Sequence, residues 1–177
     1  MNDPSRTAAG PELLLVEECE GWPELLGADP EGLVEIALAA TLRAHAMEDL
    51  RTEIGVTLTD DAAVRELNAE WRQKDAPTNV LSFPPRRIEV GERPGPLMGD
   101  LVLARETLQR EAAAEGKAPR DHFTHLVVHG VLHLLGHDHI DDDEAERMEA
   151  TEIAILAQLS IDDPYRVDED DAAVAVP

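Results

Sequence analysis

A chain of 177 residues is long enough to bury one hydrophobic core without cross-links, and its single cysteine, Cys19, excludes an internal disulfide. The net charge of −23 excludes the overall basic face that nucleic-acid binders usually carry, and no apolar run nears the roughly 18 residues of a membrane span. The opening MNDPSRTAAGPELLLVEECE has neither the basic start nor the apolar stretch of a secretory signal, so the expected setting is soluble, reducing and cytoplasmic.

Residues 1–12 are polar and unpatterned and are expected to be flexible, and the acidic run DEDD marks 166–177 as a flexible tail. Between them, 13–165 reads as one domain. LLLVEE at 13–18 predicts a strand, and Pro30-Glu31 opens a helical pattern through EGLVEIALAATLRAHA. EIGVTLTD at 53–60 alternates like a half-buried strand, and DDAAVRELNAEWR follows as a helix capped by Thr59, Asp60 or Asp61. TNVLSF at 78–83 is β-rich and is stopped by Pro84-Pro85, after which RRIEVGERPGP is a loop. GDLVLARE at 99–106 predicts a strand running into a helix. Arg120 to Leu135 is apolar on nearly every face except for its histidines, which predicts a central buried helix. Asp141 to Leu159 patterns as the last helix, with DDDE as a capping box. The sum is an α+β fold in which a small mixed sheet of about four strands is covered by helices.

The segment HGVLHLLGHDH, 129–139, places four histidines among Leu, Val and Gly. Residues four apart share a helix face, so His129 and His133 can converge on one ion. Gly136 suits a left-handed cap that ends the helix, and the reversal after it can return His139 to the same point. Three neutral imidazoles with one open position suit a catalytic zinc site. His125 lies about 12 Å from His133 along the axis, too far to share that ion, and is a pocket-lining or supporting candidate. His137 can contact substrate or water, and His122 is expected to be solvated. The spacing matches the zinc-protease pattern HExxHxxGxxH except that Gly130 stands where the glutamate base would be, which argues against peptide hydrolysis.

The second informative segment is LNAEWRQKDAPTNVLSFP, 67–84. As a plain helix, turn and strand it accounts for Leu67, Trp71, Val80, Leu81 and Phe83 as core. It leaves Asn68, Arg72, Lys74, Asp75, Thr78, Asn79 and Ser82 without a reason. Together with GDLVLA at 99–104, HGVLHLLGHDH, DDDEAERMEA and DDPY, this segment resembles the YbeY family of bacterial rRNA maturation factors, single-strand-specific endoribonucleases. The resemblance spans most of Val56 to Tyr165, with His137 standing where the family pattern HGxLHLxGYDH has tyrosine.

That resemblance implies zinc held by His129, His133 and His139, with Arg72 as the catalytic arginine near it. Lys74, Ser82, His125 and His137 are candidate substrate contacts. It also implies cleavage of single-stranded RNA in 3′-end maturation of small-subunit (16S) rRNA and ribosome quality control, with ribosome-associated proteins as partners and neither DNA nor membrane. Only five aromatic residues are available for base stacking, so intrinsic RNA binding is expected to be weak. The competing reading is a non-catalytic zinc-containing ribosome-assembly factor, in which Asp138 or Asp141 would close the fourth position.

Overall fold

A computed structural model of the chain describes residues 10–166. Of the flexible ends expected at 1–12 and 166–177, residues 1–9 and 167–177 lie outside the described residues. The elements run β1 (Glu12–Glu17), α1 (Trp22–Leu26), α2 (Pro30–Ala44), β2 (Glu53–Thr59), α3 (Asp61–Arg72), β3 (Val80–Phe83), β4 (Leu97–Ala104), α4 (Arg105–Ala114), α5 (Pro119–Leu134) and α6 (Asp142–Gln158). Glu12 thus already belongs to β1, although it falls within the stretch expected to be flexible. The unforeseen element is α1, five residues between the left-handed glycines Gly21 and Gly27, too short to show a helical period.

The fold is α+β, with one four-stranded sheet in the order β1-β2-β4-β3. β1, β2 and β4 are mutually parallel, and β3 pairs antiparallel with β4 through Val80–Leu103 and Leu81–Val102. β4 is buried on both faces, which explains its near-continuous apolar sequence. Leu101 and Leu103 enter the main core with α2 and α5, while Val102 and Ala104 join Val64 of α3 and Leu81 in a second, smaller core on the other face. Each such fully buried leucine contributes about 1.5–3 kcal/mol of transfer free energy.

Helix α5 sits at the centre and packs against α1, α2, α4, α6 and the strands β3 and β4. Its apolar positions Phe123, Val127, Val128, Val131 and Leu132 are fully buried, so the helix has almost no freedom to rotate. Asp60 resolves the choice of cap for α3, since its side chain accepts from Ala63 N–H at 2.9 Å. Asp141 does the same for α6 through Glu144 N–H, and Glu144 reaches back to the Ile140 N–H. These caps fix where each helix begins and so where the loop between α5 and α6 must run.

Candidate metal centre and its cleft

Helix α5 ends in a Schellman motif: Gly136 N–H donates to His133 C=O and His137 N–H to Leu132 C=O, with Gly136 at φ +93°. A side chain is excluded there twice over. A Cβ on Gly136 would lie 2.5 Å from the Ile88 carbonyl oxygen and 2.8 Å from the Glu89 carbonyl carbon, so the loop after β3 is pressed directly on this turn. Gly136→Ala should therefore cost about 2 kcal/mol or more from the left-handed backbone and the backbone clash together. The expected result is a melting temperature lowered by about 4–8 °C in thermal unfolding.

The turn brings His139 back to His129 and His133, and one donor atom from each lies within 4.8 Å of the others. His129 Nδ1 donates to Glu152 Oε1 at 2.5 Å, and His133 Nδ1 donates to the His137 carbonyl at 3.0 Å. In the neutral rings both protons are then on Nδ1, so both Nε2 atoms carry bare lone pairs. These two atoms face each other at 3.1 Å. Two lone pairs at that distance repel unless a cation lies between them, and tetrahedral Zn–N bonds place ligand nitrogens roughly 3.3 Å apart. The donor set therefore fits a divalent ion of the zinc type. Burial and the neighbouring His129 and His139 push His133 down to about 4, keeping it deprotonated and ready to ligate at neutral pH.

Glu152, on α6, was not singled out from sequence. It is fully buried and accepts from His129, from His125 Nε2 at 3.0 Å and from the Tyr165 hydroxyl. Burial alone would raise its pKa, but the hydrogen bonds from His125, His129 and Tyr165 outweigh it and hold the carboxyl at about 2. Burial and the same carboxylate push the Tyr165 phenol well above its ordinary value, so it stays a donor. A carboxylate behind a ligating imidazole sets the tautomer and the ring's orientation. In Glu152→Gln one of three donors must face an amide NH₂, and zinc affinity measured by chelator competition should fall about 10–100-fold. Glu152 stabilises the fold above about pH 4.5, and this contribution is lost as pH falls toward 2, so the same variant should show a flatter acid-unfolding limb.

A cleft of about 530 Å³ opens over the histidines, and its wall includes Arg72, Thr78, Ser82, Arg86, Arg87 and His137. Arg72, at the end of α3, and Ser82, on β3, thus share a cleft with His129, His133 and His139. Ser82 Oγ also donates to the Gly130 carbonyl at 3.3 Å. His137 is held by His45: His45 Nδ1 donates to Thr41 C=O, leaving its Nε2 to accept from His137 Nε2 at 2.9 Å. Burial and His45 lower the His137 pKa, so the ring faces the cleft uncharged.

The remaining expected residues divide between the cleft wall and other surroundings. Lys74 lies in the exposed turn after α3 and does not line the cleft, since that turn is folded by Asn68, which donates to Ala76 C=O and accepts from Lys74 N–H. His125 does not reach the cleft either; it lies behind His129, on Glu152 and Tyr165. His122 is buried rather than solvated, because its Nε2 pairs with Glu111 at 2.8 Å. Trp71 is 65% exposed rather than core, touching Phe83 edge-on. Asp75 pairs with Arg65, whereas Asn79 lines the cleft and also holds Glu111 and Val80 N–H. Asp138 lines the cleft and accepts from His139 N–H and Arg87, while Asp141 caps α6 through Glu144 N–H. Position 130 faces the sheet: a Cβ on Gly130 would lie 2.8 Å from Leu101 Cδ2.

The sequence model described as Endoribonuclease YbeY matches residues 28–160. The chain belongs to that family. The Endoribonuclease YbeY of Azorhizobium caulinodans is 53% identical over 158 residues, covering 87% of this chain and 96% of the relative. That of Sinorhizobium fredii is 50% identical over 154 residues, covering 85% and 88%. The solution structure of a Thermotoga maritima protein shares the fold with TM-score 0.52 at 21% identity, covering 88% of this chain and 99% of that one. The YbeY match stops at Ser160, so Tyr165, which completes the Glu152 cluster, lies just past it. No helix among the described residues is long and apolar enough to cross a membrane.

Proposed function

We propose that this chain, an endoribonuclease by family, cuts single-stranded RNA with the help of one zinc ion held by His129, His133 and His139. The observation that carries this reading is the pair of bare Nε2 atoms 3.1 Å apart at the floor of an arginine-lined cleft. Zinc bound there supplies Lewis-acid polarisation of a phosphoryl oxygen and lowers the pKa of a water toward about 7. Glu152 and the His137 carbonyl hold the two helix imidazoles in the ligating tautomer. Arg72 lies in the same cleft and stabilises the negative charge that develops on the attacked phosphate. Ser82 and His137 contribute to the substrate wall; Lys74 and His125 are outside it.

The biological substrate on this reading is the 3′ end of small-subunit (16S) rRNA, with a part in ribosome quality control in the cytoplasm. A chain carrying 38 acidic and 15 basic residues repels RNA at long range, which fits a requirement for ribosome-associated partners that bring the substrate to the cleft. Elemental analysis paired with cleavage of a short single-stranded RNA tests the proposal. About one zinc per chain, with cleavage lost on chelation and regained on zinc addition, is the expected result. Tightly held zinc without cleavage would instead favour a non-catalytic ribosome-assembly factor.

A further inference from the structure

The charge in the cleft runs against the charge of the chain. The sequence carries 38 acidic residues, yet among the described residues lining the cleft Asp138 is the sole carboxylate, against three arginines, Arg72, Arg86 and Arg87. Arg86 and Arg87 come from the loop between β3 and β4, an element separate from the helix that supplies Arg72. That loop is anchored beside the candidate metal centre. Ile88 is buried, and its carbonyl and the following backbone sit against Gly136, so the two arginines immediately before it are held at the edge of the His139 turn. Arg87 pairs with Asp138 Oδ2 at 3.3 Å, while Asp138 Oδ1 accepts from His139 N–H. Arg86 pairs with Glu92 of its own loop at 2.8 Å.

We propose that Arg86 and Arg87 form a second phosphate-binding wall of the cleft, taking the backbone phosphates of single-stranded RNA next to the one attacked beside Arg72. This rests on the RNA-cleaving reading above and adds how the strand is gripped. Both arginine side chains are more than half exposed, 57% and 77%, and their ion pairs with Glu92 and Asp138 are of the surface kind that contributes little. Exchange of such a carboxylate for a phosphate is therefore inexpensive, and the planar fork suits phosphate oxygens.

The test uses the full-length, zinc-loaded protein and a short single-stranded RNA, with affinity measured as a function of salt. Each phosphate contact to a single strand contributes about 0.7 to the slope of log K against log salt. The double variant Arg86→Gln, Arg87→Gln should therefore lose about 1.4 from that slope and raise KM, with zinc content the same as the parent's. Arg93→Gln is the control, because Arg93 belongs to the same loop but pairs with Asp49 away from the cleft. It should leave slope and KM at the parent values. An unchanged slope in the double variant, or an equal fall in the control, overturns the proposal. If the unaltered protein neither binds nor cleaves the RNA, the proposed function falls and takes this inference with it; the comparison between variants judges the inference alone.

Discussion

His133→Ala should purify with essentially no zinc, against about one per chain in the unaltered protein, and should cleave no RNA above background. His133 stands between the other two imidazoles: its Nε2 faces His129 Nε2 at 3.1 Å, and its ring lies 5.0 Å from that of His139. Removing it leaves two histidines on different elements, which cannot hold a zinc-type ion tightly. The His137 carbonyl also loses its donor, so the loop carrying His139 should loosen. Elemental analysis of the purified variant, with thermal unfolding alongside, is the check. Retention of stoichiometric zinc would remove His133 from the ligand set.

Arg72→Ala should behave in the opposite way, keeping its zinc and its fold while losing about 10²–10³-fold in the rate of RNA cleavage, the usual cost of one electrostatic group aimed at developing charge. Arg72 is exposed at the last turn of α3 and lines the cleft, so its removal leaves no buried cavity. Single-turnover cleavage with enzyme in excess isolates the chemical step. A fall in zinc content or in melting temperature comparable with that of His133→Ala would instead make Arg72 a structural residue.

The candidate metal centre was legible from sequence because its logic is local. The four-residue spacing of His129 and His133, the cap at Gly136 and the return to His139 all follow from helix geometry within eleven residues. Glu152 was not legible, because it is one of many acidic residues on α6, and nothing local distinguishes the one that is fully buried under two histidines and a tyrosine. His122 was misjudged for the same reason: its partner Glu111 comes from the neighbouring helix α4. The strand pattern of 53–60 and of 99–104 was plain, whereas the order β1-β2-β4-β3, which sets α3 on the sheet face opposite α5, is a tertiary result. Trp71 shows the reverse failure, since an apolar residue at a helical period is ordinarily core, and here it stands in solvent beside Arg72.

The contact between Gly130 and Leu101 bears on what this scaffold can become over time. A zinc peptidase with the same histidine spacing needs a glutamate at this very position, and here the position is filled from the other side by a strand residue of the main core. A glutamate arriving by a single substitution would meet the Leu101 methyls at its first carbon, which is unfavourable in a packed core. Seating it would require the Leu101 side chain on β4 to give way. Helix-to-strand packing at position 130 thus favours the small residue found beside the histidine cluster.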